Sequence, residues 1–204
     1  MFSGCTSLQE VVIHEGVTKI YGMFYGCTGL QKIFIPSSVT TIGCNSFRDC
    51  TSLEEVVIPS SVTLIWDTAF NKCTGLREVV IPSSVKEIGL WAFRGCTGLR
   101  EVVISSSVTS IMQGVFEGCT GLKKIFIPPR VTKIGYESFK GCTSLEEVVI
   151  PSSVKEINRT AFDGCNNLKA IYVPKEKVDF YKERFPADMH WLIVEEGSDF
   201  PMKP

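Results

Sequence analysis

Cys142-Thr-Ser-Leu-Glu-Glu-Val-Val-Ile-Pro-Ser-Ser-Val154 stands letter for letter a second time at Cys50 to Val62, and near-copies fill most of the remaining chain. Cysteines occur at Cys5, Cys27, Cys50, Cys73, Cys96, Cys119, Cys142 and Cys165, 23 residues apart except for a first interval of 22. Leu8, Leu30, Leu53, Leu76, Leu99, Leu122, Leu145 and Leu168 keep the same step, as do Ile13, Ile35, Ile58, Ile81, Ile104, Ile127, Ile150 and Val173. A fixed period of about 20 to 50 residues signals a stacked repeat array before any propensity is weighed. The 204 residues therefore read as one elongated array, residues 1–174, followed by a cap at 175–196 and a tail at 197–204. The array holds eight strand repeats, the first of them truncated.

Within a unit, Leu-x-x-Val-x-Ile has the alternation of a short strand. In Leu53 to Ile58 it turns Leu53, Val56 and Ile58 inward and Glu55 and Val57 outward. Pro59 ends ladder pairing and Ser60-Ser61 turn the chain. Val62-x-x-Ile65 is a second, shorter extended piece. Ala69-Phe70 and Cys73 have the spacing of a single helical or 3-10 turn. No unit can bury its apolar side alone, so the units must stack. After Pro174, Val178, Tyr181 and Phe185 fall at helical spacing up to Pro186, and Met189 to Val194 reads as a strand. This segment is a cap over the last open core face.

Nine cysteines do not make a disulfide scaffold here. Stacked copies lie about 4.8 Å apart with parallel side chains, whereas a disulfide wants Cβ atoms near 3.8 Å and facing each other. The eight in register read as a buried ladder of small apolar groups, and Cys44 stands outside it. No Cys-x-x-Cys pair or histidine partner has metal-ligand spacing. His14 and His190 lie at opposite ends, no serine has a base beside it, and no phosphate-cradling glycine loop occurs, which argues against an enzyme and against a cofactor. With 21 basic and 22 acidic residues, the chain has no electrostatic footprint for nucleic acid. No apolar run is long enough to insert in a membrane. No signal peptide precedes the first repeat, and the chain starts inside a unit at Phe2, as if cut from a longer protein.

The unit Cys-Thr-x-Leu-x-x-Val-x-Ile-Pro-Ser-Ser-Val-x-x-Ile-x-x-x-Ala-Phe, carried by eight agreeing copies, resembles the BspA-like leucine-rich repeat, also called the Treponema pallidum type. Gly89 and Gly135 keep that pattern's Ile-Gly, Trp66, Met112 and Asn158 depart from it, and Ser105 replaces its proline. The resemblance implies a mostly β, α/β-type repeat solenoid. Its shape would be a right-handed leucine-rich-repeat horseshoe with a parallel concave sheet, a short second strand and a 3-10 or helical turn per repeat. It also implies a non-enzymatic adhesin, extracellular or on the cell surface, that binds host matrix or cell-surface proteins; the sequence itself leaves a glycan open as another class of ligand.

Two surfaces are candidates for partner binding. The segment between Ile and Phe never repeats its middle pair from copy to copy. Aligned by stacking, it forms a variable strip with Trp66, Leu90, Trp91, Met112, Tyr136 and Arg159 as anchors, since Trp, Tyr and Arg dominate interface hot spots. Loops that tolerate any residue would vary in the same way. The rival is a concave apolar stripe formed by Phe34, Val57, Val80, Val103, Phe126 and Tyr172, an exposed patch of the kind that marks interfaces or simply β-propensity. A structural spacer without a ligand and a solenoid that self-associates through its uncapped first repeat are the other functions the sequence allows.

Overall fold

The structure is a computed structural model and describes residues 2–195. Each repeat closes one coil of a parallel-strand solenoid, numbered here 1 to 8 by the cysteine that opens it, from Cys5 to Cys165. The long strands are Glu10–Val12, Lys32–Phe34, Glu78–Ile81, Glu101–Ile104, Lys124–Phe126, Glu147–Val149 and Ala170–Val173. Paired strands run parallel and in register one repeat apart, so that Val79 faces Val102 and Val148 faces Ile171. The predicted alternation holds in coil 3, where Leu53, Val56 and Ile58 are buried and Val57 is exposed. Residues 54–58 nevertheless form no regular strand there. The long sheet is therefore interrupted at coil 3, and again between coils 5 and 6.

Beyond the Pro-Ser-Ser corner lie the short strands Lys19–Ile20, Thr41–Ile42, Leu64–Ile65, Glu87–Ile88, Ser110–Ile111, Lys133–Ile134 and Glu156–Ile157. Their ladder breaks once, between coils 4 and 5.

The third side is not the helical or 3-10 turn that the spacing predicts. It is a run of turns whose N–H groups divide between two directions. Cys73 N donates to Phe70 O within the same turn (3.1 Å), while Phe70 N donates to Ala92 O of the next coil (2.8 Å). Left-handed residues such as Thr68, Lys72 and Gly95 break any helix and aim alternate amides outward. The bond from each phenylalanine amide to the next coil recurs without a break from Phe2 N to Phe139 N. The phenylalanine rings stack in step, with centroids 5.1 to 5.8 Å apart from Phe2 to Phe162.

The cap corrects one expectation. Val178–Lys182 is a short α-helix behind the 3-10 turn Lys175–Lys177, but the residues from Met189 to Leu192 belong to the 3-10 helix Ala187–Leu192, and only Ile193–Glu195 is strand. After Pro186 the chain closes tight turns, Met189 N donating to Pro186 O at 2.9 Å. Even so, the cap imitates a further coil. Ile193 pairs beside Ile171, and the Phe185 ring lies 6.0 Å from that of Phe162. The buried Tyr181 hydroxyl donates to Pro151 O at 3.2 Å. Residue 196 and the predicted tail at 197–204 lie outside the described residues.

Candidate functional site

Stacking brings the residue after each short strand into one file: Tyr21, Gly43, Trp66, Gly89, Met112, Gly135, Asn158. Large side chains alternate with glycine along most of it. The cause at Gly89 is close backbone approach, since a Cβ there would sit 2.5 Å from Asp67 Oδ1 and 2.6 Å from the Trp66 carbonyl carbon. With no side chain at 89, Trp66 and Met112 stand apart across an open notch of about 300 Å³, with Leu64 and Leu90 among its apolar walls. Trp66 and Met112 flank Gly89 from the coils on either side, which leaves room for one side chain of a partner. Trp66 is 44 % and Met112 40 % exposed.

Asp67 and Glu87 supply the acidic part of the lining. Asp67 Oδ1 accepts the Leu90 amide at 2.7 Å and so fixes the loop. Glu87 is exposed at the rim. The notch thus offers two apolar walls and a negative edge.

Of the six predicted anchors, Trp66, Leu90 and Met112 meet here. Trp91 does not. It is half-buried, in a left-handed conformation with φ 54°, and its indole lies over Gly114, where a Cβ would be 2.5 Å from Nε1. Tyr136 and Arg159 are exposed farther along the file, apart from the notch. In the concave stripe, Phe34, Val57, Val80, Val103 and Phe126 are exposed as expected. Tyr172 is only half-buried at the surface, because Val194 of the cap pairs beside it. Exposed aromatics outside both surfaces are Phe2, Tyr21, Tyr25 and Trp191. Trp191 falls in the segment predicted as strand, where its orientation was not legible.

The cysteines are free thiols. Those of the ladder are more than small apolar groups, for each Sγ from Cys27 to Cys165 donates to the carbonyl of the phenylalanine 25 or 26 residues before it, as Cys96 does to Phe70 O at 3.2 Å. Cys44, outside the ladder, is half-buried. Among the described residues, no group of three His, Cys, Asp or Glu could hold a metal ion. No helix there is long and apolar enough to cross a membrane.

A solenoid of about 23 residues per coil, with parallel strands and a buried Leu, Ile and Phe ladder, defines a leucine-rich repeat protein. The family model of the BspA type Leucine rich repeat region matches six copies, over residues 1–100 and 63–188. The chain belongs to that family. It is 30 % identical to a leucine rich cell surface protein of Faecalibacterium prausnitzii, covering 88 % of this chain and 63 % of that one with a TM-score of 0.63. It is similar to the T. pallidum leucine rich repeat protein at 28 % identity, covering 95 % and 77 % with a TM-score of 0.65. A leucine-rich repeat protein of Bacteroides ovatus is 27 % identical over 84 % of this chain and 56 % of its own, at a TM-score of 0.59. The chain thus spans less than two thirds of the Faecalibacterium protein. No curated protein matches it.

Proposed function

We propose that this chain is a non-enzymatic protein-binding module of a cell-surface or secreted adhesin, and that the Gly89 notch is where its partner docks. The observation that carries this reading is the gap at Gly89 between Trp66 and Met112. Leucine-rich repeats of this kind are typically protein-interaction modules. A partner segment that inserts one apolar side chain between the two walls and sets a lysine or arginine near Glu87 would match both the shape and the charge. Buried aromatic anchors in such pockets carry most of the energy of an interface. The cell-surface description of the Faecalibacterium relative supports the location.

The test is a binding screen against immobilised extracellular-matrix and cell-surface proteins, run with Trp66→Ser/Met112→Ser and, as the rival arm, Phe34→Ser/Phe126→Ser. The notch variant is expected to lose about 2 kcal/mol or more of binding, with the stripe variant unchanged. The opposite pattern moves the site to the sheet face. Failure of the unmodified chain to bind any of the proteins favours the spacer.

A further inference from the structure

At the corner where the chain leaves its cysteine and enters the long strand, two positions change together across coils 3 to 7. Coils 3 and 7 read Thr51-Ser52-Leu53-Glu54 and Thr143-Ser144-Leu145-Glu146. Coils 4, 5 and 6 read Thr-Gly-Leu followed by Arg77, Arg100 and Lys123. Where the small side chain is lost, the acid becomes a base. The structure stacks these three coils into an open groove of about 680 Å³, with glycine backbone and threonine along it and the three cations in its lining. The glycines are held there by close packing, since a Cβ at Gly98 would lie 2.5 Å from Thr74 O.

The three cations line the groove one coil apart, and like charges at neighbouring positions repel. The protein relieves this only at the ends. Arg77 reaches Glu54 at 3.5 Å. On the far side Glu146 lies near Lys123, but its ion pair, at 2.7 Å, is with Lys169. Arg100 and Lys123 form no ion pair among the described residues. Glu78 and Glu101 follow the arginines in sequence, yet no carboxylate lines the groove.

We propose that this groove binds a linear anionic glycan, its sulfate or carboxylate groups bridging Arg77, Arg100 and Lys123. A guanidinium presents paired donors that fit an oxyanion, and clustered bases of this kind form heparin-type patches. A polysaccharide is the partner that fits because the lining has no apolar or aromatic side chain. A peptide would find no pocket for a hydrophobic anchor, and a nucleic acid strand would find no ring on which to stack. The site is separate from the Gly89 notch and does not depend on it.

The experiment is affinity for immobilised heparin across a salt series, comparing the unmodified chain with Arg100→Gln/Lys123→Gln. Lys86→Gln/Lys155→Gln, two exposed lysines away from the groove, makes the same change in net charge. Circular dichroism verifies that all three fold. The groove variant is expected to bind about tenfold or more weakly and to lower the slope of log K against log salt by about 1 to 2, because fewer counterions are released. The control pair is expected to match the unmodified chain. No heparin binding at about 50 mM salt, or equal losses in the two variants, overturns the proposal. So does displacement by polyglutamate or oligo(dT) as effective as displacement by heparin fragments.

Discussion

Gly89 joins the fold to the candidate site through one missing atom. Replacing it with alanine drives a Cβ into Asp67 and the Trp66 backbone, and overpacking of this kind typically costs about 1 to 3 kcal/mol. Gly89→Ala should lower the unfolding free energy by that amount, with a correspondingly lower urea midpoint, and weaken partner binding at the notch, whereas alanine at the exposed Lys86 should do neither. Thermal and urea melts of the two variants decide it. The neighbouring residues show how far the string alone reaches. That Trp66, Leu90 and Met112 are variable and surface-placed is legible from the repeat register. That they converge, while Trp91 turns away onto Gly114, depends on a left-handed φ at Trp91. A tryptophan rarely adopts that conformation, and no spacing rule predicts it. The basic groove is spelled out in the paired change from Ser-Glu to Gly-Arg or Gly-Lys, but stacking is what turns three separated letters into a row of charge.

Among the elements, the turn that carries Phe and Cys is the most regular, although its sequence suggests only a helical fragment. The phenylalanine carbonyls from Phe2 to Phe139 each accept two donors, as when Phe70 O accepts Cys73 N at 3.1 Å and Cys96 Sγ at 3.2 Å. Burial pushes the Cys50 and Cys96 thiols up to about 12, and Cys73 and Cys119 are raised as well. An unfolded thiol ionises near about 8.5. Below that pH both states keep their protons and the contribution of the ladder is whole. Above it the unfolded chain sheds protons that the folded chain retains until about pH 12, so stability falls as pH rises through this window. The loss is about 1.4 kcal/mol per pH unit for each thiol. Urea titrations between pH 8 and pH 10 should show Cys50→Ala/Cys96→Ala flattening this decline relative to the unmodified chain, by an amount that grows toward about 3 kcal/mol per pH unit near pH 10. An unchanged slope would mean that these thiols are not sequestered.

Across the whole molecule the three ladders fail at different places. The long sheet is interrupted on both sides of coil 3 and between coils 5 and 6, and the short one between coils 4 and 5. Every junction between coils keeps at least one strand ladder, and the phenylalanine amide bonds run through them as far as coil 7. A stack tied in this way is quasi-one-dimensional, with each coil contacting only its neighbours. The cap then guards one end locally. Ending the chain at Pro174 would uncover Phe162, Ile171 and Val173, which are at most 2 % exposed in the structure. Each uncovered side chain costs roughly 1.5 to 3 kcal/mol, enough to fray coil 8. Coils 4 and 5 lose no contact. In native-state hydrogen exchange the truncated chain should therefore lose protection at Ile171 and Phe162 by several orders of magnitude and keep it near Phe93. Phe93→Ala, a cavity in mid-stack worth about 3 to 5 kcal/mol, should instead lower protection in coils 3 to 5, whose rings stack on it, and leave coil 8 as it was. Uniform loss of protection in both variants would show that the solenoid opens as one all-or-none unit, and that the staggered interruptions give it no local freedom.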